Sequence, residues 1–166
     1  ENYRAEFADM LERRVPPTDP TIYVCRATAT DPSAAPPGCD NLFVMVNVPY
    51  LDGRTDWVAD APRYRDHILS ALRRRGLDIE PSIAVESVWT PETIRDAYGA
   101  QRGAIYGFAS NGRGAGFLRP PNQSSVLRGL FFAGGSTHPG GGVPLALLSG
   151  KIAADLVLEH AKERAA

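Results

Sequence analysis

The sequence predicts an α/β fold of the mixed α+β kind, and three observations indicate it. β-rich runs and segments with helical periodicity follow one another along the 166 residues. The hydrophobic fraction, 43%, is enough to build a core in a chain of this length. The 16 glycines and 14 prolines are concentrated in short clusters between these segments, so they indicate turns rather than a repeat.

The first part of the chain predicts a helix followed by two paired strands. The helix spans residues 1–14 and ends at Val15-Pro16-Pro17, because a residue before proline is pushed out of the helical region. The strands are Thr21–Thr28 and Leu42–Val48, which are rich in β-branched and aromatic residues and are separated by a proline-rich loop. The apolar face expected for the helix comprises Tyr3, Phe7, Met10 and Leu11.

Two helices and a further strand are expected next. Asp56 caps a helix that runs through Arg75 and ends at Gly76. Ile79–Trp89 is predicted to be a strand, and Thr90 caps a short helix that runs through Tyr98. The apolar residues of the longer helix recur at helical spacing and are Trp57, Ala61, Tyr64, Ile68 and Leu72.

The last third of the chain predicts a strand, a glycine turn and a helix, in that order. Residues 103–125 are too rich in glycine for a regular element and too apolar for a plain linker. Gly129–Ala133 is a continuous apolar run, which is typical of a strand covered on both faces in a parallel sheet. Pro144 suits the first turn of a final helix that runs to about His160.

Charge and composition limit the classes of partner that the chain is expected to bind. The 18 Lys+Arg and 19 Asp+Glu give a formal net charge of −1, so no global basic field favours nucleic acid. The first residues do not resemble a secretory leader, and no run approaches the roughly 18 apolar residues of a membrane span. We therefore expect a cytoplasmic protein, at most peripherally associated with a membrane.

Arg73, Arg74 and Arg75 either touch anionic lipid or only meet solvent. Cys25 and Cys39 lack metal-type spacing and are expected to be buried or free thiols.

The glycine turn carries the most chemical information. A glycine turn that feeds a helix leaves backbone N–H groups unpaired, and the helix dipole directs them at an anionic or electron-rich ligand. Gly140, Gly141 and Gly142 have no Cβ, so a flat ring could approach the main chain. The alternative is a tight strand-to-helix connection that binds nothing.

Two phosphate-binding motifs are excluded. Gly135 to Gly140 has the spacing of a P-loop, but Gly141-Gly142 stands where the motif requires Lys-Ser/Thr. Residues 112–117 lack the last glycine of G-x-G-x-x-G and open no predicted helix. A nucleotide triphosphatase is therefore disfavoured, and no dinucleotide fingerprint is present in this sequence.

His138 is the obvious candidate for acid–base work. It has no Asp, Glu, Ser or Cys close by in sequence that would form a dyad, and His-Pro is a good turn element. Both a proton-transfer role and a structural role remain open. His67 and His160 lie on charge-rich predicted helices and are expected to face solvent.

The glycine turn and the helix after it resemble a known signature. The stretch AGGSTHPGGGVPLALLSGKIAADLV is similar to the C-terminal motif of the FAD-dependent carotenoid desaturases, the phytoene desaturase family. FLRPPNQSS and the first segment, YRAEFADMLERRVPPTDPTIYVC, are also similar to this family, the latter to the hydroxy- and methoxy-carotenoid 3,4-desaturases. The matching positions of the motif are Gly135, Thr137, His138, Pro139, Gly140, Gly142, Val143, Pro144, Ser149, Gly150, Lys151, Ala153 and Ala154.

The resemblance implies a fragment of a two-domain FAD-binding flavoprotein. Residues 1–102 would be part of the substrate-binding domain, and residues 103–166 would be the C-terminal return to the FAD domain. Gly140 to Val143 would pack on the flavin, with main-chain N–H groups directed at its N1/O2 edge. The implied FAD-binding residues are Gly134, Gly135, Thr137, His138, Pro139, Gly140, Gly141, Gly142 and Val143, with no metal ligand and no assigned catalytic side chain.

The resemblance also implies the reaction and the partners. An apolar tunnel would hold a carotenoid polyene by burial, and a hydride and a proton would be removed to form a C=C bond. Arg119 would face the cofactor or pair with a local carbonyl. The partners would be the polyene, the N-terminal FAD-domain portion of the same protein and a membrane surface, without nucleic acid. Tunnel or flavin-face residues, each equally well ordinary core, would be Phe108, Phe117, Leu118, Phe131 and Phe132.

Departures from the family keep other functions open. The N-terminal strand and G-x-G-x-x-G of the family are absent from this sequence, which suits a piece of roughly the last third of a desaturase that is inactive alone. Gly135-Ser136 stands where amine-oxidase relatives often place an acid. The alternatives are another amine-oxidase-like or isomerase-type flavoprotein and a non-catalytic lipid-binding module.

Overall fold

The computed structural model describes residues 3–107 and 119–165. The chain divides into two compact units, Glu1–Gly103 and Ala104–Ala166. Helices and a small sheet are mixed, as the sequence predicts. The assignment of residues 1–102 and 103–166 to a substrate domain and an FAD domain stays a prediction.

The first helix forms, but its apolar face is not its buried face. α1 (Tyr3–Phe7) continues into a π-helical turn, Ala8–Arg13, which ends at Arg14 in a left-handed conformation. Three of the four apolar residues expected to be covered are exposed in this chain: Tyr3, Phe7 and Leu11.

Two carboxylates occupy the buried side of this helix instead. Glu6 accepts hydrogen bonds from the Thr21 amide (3.0 Å) and the Thr21 hydroxyl (2.6 Å). Asp9 forms an ion pair with Arg13 and accepts a hydrogen bond from the Thr18 amide at 3.4 Å. The expectation of a buried apolar face was wrong because hydrogen bonds to residues 18–21 satisfy these carboxylates and fix the rotation of the helix.

The predicted strand pair is confirmed. β1 (Ile22–Arg26) and β2 (Leu42–Val46) form an antiparallel two-stranded sheet in which Ile22 lies opposite Val46. One face of this ribbon places Tyr23 edge-on to Phe43, with ring centroids 6.3 Å apart. Cys25 and Cys39 are free thiols.

α2 (Trp57–Arg74) provides all the buried apolar side chains, prolines apart, among the described residues of the first unit. The Asp56 carboxylate accepts hydrogen bonds from the amides of Val58 and Ala59, which confirms the predicted cap. His67 is half-buried against the Thr18 carbonyl at 2.8 Å rather than solvent-facing. The buried apolar residues of the helix are Trp57, Leu69, Ala71 and Leu72.

The arginines at the end of α2 are mostly paired. Arg73 forms ion pairs with Asp78 and Glu80, and Arg75 pairs with Asp19 at 3.0 Å. These pairs favour the ordinary solvent-facing interpretation of the arginine run over lipid contact.

The strand expected at Ile79–Trp89 is wrong. The structure has a 3₁₀ turn at Glu80–Ser82 followed by irregular chain, in which Val85 is exposed. Pro81 lies inside the turn, where it has no N–H to donate to a ladder. α3 (Pro91–Tyr98) follows as predicted, with reciprocal capping between Thr90 and Thr93.

In the second unit the turn and helix form as predicted, but the strand does not. Gly129–Ala133 makes one isolated antiparallel bridge, between Gln123 and Phe131, and both Leu130 and Phe132 are exposed. The described residues contain no parallel strand that pairs with this run. α4 (Val143–Ala165) extends beyond the predicted end at His160, because no breaker occurs in the residues that follow. No helix within residues 3–107 and 119–165 is long and apolar enough to cross a membrane.

Candidate functional site

The glycine turn between residues 134 and 142 depends on backbone conformations that favour glycine. Gly134, Gly140 and Gly142 have φ angles of +121°, +139° and +99°. An L side chain rarely adopts such angles, so these glycines are required by the path of the chain. The His138–Pro139 peptide bond within the turn is cis.

The space around the turn differs from one glycine to the next. A Cβ at Gly140 would lie 3.1 Å from Arg119 Nε, and one at Gly141 would lie 3.1 Å from Tyr106 Cδ1. A Cβ at Gly142 would meet no described residue within 4 Å other than its chain neighbours. Arg119 and Tyr106 therefore fill the space beside Gly140 and Gly141, whereas the described residues leave the space beside Gly142 open.

The open side coincides with the start of α4. The Ala146 amide donates to the Gly142 carbonyl at 2.9 Å, which makes Gly142 the residue that caps the helix. Within the described residues, the amides of Gly142, Val143 and Leu145 have no acceptor, and Pro144 has no N–H. Val143 is 75% exposed. Amides without a described acceptor and the positive end of the helix dipole thus coincide at the N-terminal end of α4, an arrangement that attracts an electron-rich ligand edge.

A buried polar cluster lies behind the turn. It consists of Asn122, Thr137 and Ser149, and Ser149 is 0% exposed. Asn122 Nδ2 lies within hydrogen-bond distance of both hydroxyls, 2.9 Å from Ser149 Oγ and 3.0 Å from Thr137 Oγ1. The two hydroxyls lie 3.0 Å apart, and the Gly134 amide donates to Ser149 Oγ at 3.1 Å. The cluster joins the turn to the second turn of α4.

Residues 119–122 form hydrogen bonds with the main chain of the same turn and of the run before it. Arg119 Nη1 donates to the Gly135 carbonyl at 3.0 Å, so Arg119 pairs with a local carbonyl, one of the two roles expected for it. The His138 amide donates to the Pro120 carbonyl at 2.9 Å, and the Phe132 amide donates to the Asn122 carbonyl at 2.8 Å. The turn therefore has a fixed backing formed by a segment well separated from it in sequence.

The His138 side chain is exposed beside a shallow cleft of about 580 Å³. None of the residues lining this cleft is an acid or a cysteine, so the described residues around it offer the imidazole no carboxylate to orient it. The lining is Pro121, Asn122, Gln123, Ser124, Ser125, His138 and Leu156. This geometry favours the structural role for His138.

The expected site residues are brought together only in part. The nine residues expected to bind FAD lie in the stretch from Gly134 to Val143, which leads directly into α4, but Thr137 and Gly140 are buried within it. Phe131 packs edge-on to the half-buried His160 with ring centroids 5.7 Å apart. His160 is therefore not simply solvent-facing as expected. Phe132 is exposed. Phe108, Phe117 and Leu118 lie outside the described residues. The sequence assigned no role to Asn122, although it lies within the quoted stretch FLRPPNQSS.

Comparisons with known proteins agree with the resemblance. The family model described as flavin containing amine oxidoreductase matches residues 4–158. A 1-hydroxycarotenoid 3,4-desaturase of Flavobacterium sp. (strain P99-3) is 44% identical over 158 residues, 95% of this chain and 32% of that protein. A 4,4'-diaponeurosporene oxygenase of Staphylococcus aureus (strain MW2) is 38% identical over 166 residues, 99% of this chain and 33% of that protein. The chain thus spans about a third of the length of the curated relatives it matches.

Proposed function

The chain belongs to the family of flavin-containing amine oxidoreductases, and on this premise we propose that it is part of a carotenoid desaturase in which the glycine turn forms the wall of the site against the flavin edge. The observation that carries the proposal is the combination at Gly142 of open space, free amides and a helix N-terminus. Relatives that act on carotenoids, by name, match almost the whole chain.

The residues present fit FAD. Space for a flat ring is available at Gly142, where an added Cβ would meet no described residue within 4 Å other than its chain neighbours, and the amides of Val143 and Leu145 can donate to the electron-rich N1/O2 edge. When bound, FAD supplies a two-electron acceptor that takes a hydride from an allylic carbon of the polyene. Gly140 to Val143 are the residues that would pack on the ring and hold it in place.

The chain's own side chains would hold the substrate by burial. A polyene has no ionisable group to grip, so apolar surface must bind it and exclude water. In the second unit Ile105, Tyr106 and Phe132 are exposed. In the first unit Tyr23, Phe43 and Met45 leave one face of the β1–β2 ribbon uncovered. We assign this first unit to the substrate-binding part and the second unit to the FAD-binding part of the parent protein.

Proton removal would not depend on a tuned base in this segment. Loss of a hydride leaves a delocalised cation whose neighbouring C–H is strongly acidified, so water or a weak base can take the proton. His138 lacks a carboxylate partner in its cleft and donates from its main chain to Pro120. We therefore assign it a structural role in the turn.

Oxygenation of a carotenoid is the second candidate function. It is favoured by one observation, the 38% identity to a protein named as a diaponeurosporene oxygenase over 99% of this chain. The two reactions differ in their products, because desaturation removes two hydrogens and oxygenation adds oxygen.

The experiment is expression of the complete parent protein in a host that makes acyclic carotenoids. We expect a bound flavin spectrum and a product that has lost two hydrogens, identified by chromatography with mass detection. An oxygenated product would mean that the parent protein is a carotenoid oxygenase and not a desaturase. A parent protein that binds no flavin would refute both candidate functions.

The isolated 166-residue chain is the control for this experiment. It carries at most one wall of the site and should not retain FAD tightly, so a stoichiometric flavin spectrum from it would contradict the proposal. Peripheral contact with a membrane and a cytoplasmic location stay predictions.

A further inference from the structure

The segment 119–122 contacts the glycine turn through both its main chain and its side chains. The carbonyls of Pro120 and Asn122 accept from the amides of His138 and Phe132. The Arg119 guanidinium donates to the Gly135 carbonyl at 3.0 Å. These contacts reach the residue run before the turn at Phe132, the beginning of the turn at Gly135 and its middle at His138.

Asn122 makes the most connections in this segment, and its orientation is defined. Its Nδ2 lies 3.0 Å from the Phe132 carbonyl oxygen, which can only accept a hydrogen bond, so the amide nitrogen faces this side. The same nitrogen reaches Thr137 Oγ1 and Ser149 Oγ, and only 5% of the Asn122 surface is exposed. A leucine would fit the burial but would leave the Phe132 carbonyl without this donor and would remove the link between Thr137 and Ser149 that Asn122 provides.

The geometry points to Asn122 as a positioning residue for the flavin edge. Its amide fixes Thr137 in the turn and Ser149 in α4 with respect to each other, and thereby sets where the free amides of Val143 and Leu145 point. The residue does not itself touch the ligand. The inference rests on the proposed function for the identity of the ligand, whereas the clamp is a property of this chain.

Asn122→Asp is the variant that tests this role, because it keeps the shape of the side chain and removes its donors. At neutral pH a carboxylate oxygen would face the Phe132 carbonyl oxygen, and neither group can donate a hydrogen bond. The turn should therefore open more often. A buried carboxyl has a raised pKa, and once protonated it regains one donor. Asn41→Asp is the matched control, since the Asn41 amide is exposed and makes one long contact, 3.4 Å to the Ala34 carbonyl.

The first measurement is amide hydrogen exchange in the 166-residue chain. We expect exchange at Phe132, Gly134 and His138 to accelerate at least about tenfold in Asn122→Asp, with α2 unchanged. The Asn41→Asp control should exchange like the wild type at these amides. Unchanged exchange in Asn122→Asp, or equal acceleration throughout α2, would overturn the clamp.

The second measurement is FAD binding by the parent protein as a function of pH. Affinity in Asn122→Asp should fall roughly tenfold at neutral pH, the effect of losing about 1.4 kcal/mol, and should recover in part on acidification. If the ratio of FAD affinities between Asn122→Asp and the wild type stayed the same at every pH, the positioning role would be overturned. If the wild-type parent holds no flavin, the proposed function fails, and the exchange experiment still decides whether Asn122 clamps the turn.

Discussion

Replacing Ser149 by alanine tests how strongly the buried cluster holds the glycine turn to α4. The Ser149 hydroxyl accepts from the Gly134 amide and from Asn122, and it lies beside Thr137. In the variant, Asn122 keeps two acceptors, the Phe132 carbonyl and the Thr137 hydroxyl, and Thr137 can donate to the His138 carbonyl at 3.2 Å. The Gly134 amide is then the one group of the cluster that loses its partner.

The size of the effect follows from this single loss. A buried donor without an acceptor costs about 1–3 kcal/mol. Gly134 is only half-buried, so we expect a loss of about 1–2 kcal/mol from the free energy of unfolding of the second unit. With a urea dependence of about 2 kcal/mol per molar, the middle of the usual range, the midpoint should fall by roughly 0.5–1 M.

The assay must report on the second unit. Trp57 and Trp89 both lie in the first unit, so tryptophan fluorescence would follow the wrong part of the chain. NMR signals of α4 during urea titration are suitable. Ser125→Ala is the control, because this exposed hydroxyl makes no hydrogen bond with any described residue. A midpoint in Ser149→Ala equal to that of the control would refute the reasoning.

Three further predictions concern separate parts of the chain. Gly150→Ala should stabilise α4 in the isolated chain by about 0.5–1 kcal/mol, because outside its own helix the added methyl meets no described residue within 4 Å, and a lower urea midpoint would contradict this. His138→Asn in the parent should reduce flavin content or substrate binding, whereas a loss of about 10²- to 10⁴-fold in turnover per bound flavin at full FAD content would make His138 a general base. The pKa of Asp40 is lowered by a hydrogen bond from Thr28 and by Arg26, so its contribution to stability is present above pH about 4 and is lost as the pH falls through the lowered pKa. Thr28→Val should raise that pKa toward the ordinary value in an NMR titration, and an unchanged value would contradict the assignment.

Local signals in the sequence predicted the helices better than the strands. Asp56 and Thr90 cap α2 and α3 because a side-chain acceptor next to free amides acts within three residues. The Gly129–Ala133 strand was predicted from apolar character alone, and such a run forms a strand only where another strand pairs with it. Ile79–Trp89 failed for a related reason, since Pro81 interrupts the run.

The site was predictable only where its chemistry is contiguous in sequence. The spacing of Gly140, Gly141 and Gly142 before Pro144 indicates a turn that opens a helix, and the structure has one. The cluster behind it joins Asn122 to Ser149 across 27 positions, which no local pattern reveals. Burial of Glu6 likewise depends on Thr21, fifteen residues away, so helical periodicity alone placed the wrong face inward.

The amount of FAD bound per polypeptide in the complete parent protein tests most directly whether the glycine turn forms the flavin wall. Gly142→Val should abolish flavin retention, because its branched side chain would occupy the open space that the ring needs. Gly53→Val is the matched control, since Gly53 also has a positive φ, +85°, and open space around its Cβ, but lies in the first unit. The account predicts that the control keeps its flavin while Gly142→Val loses it. Equal flavin content in the two variants would contradict it.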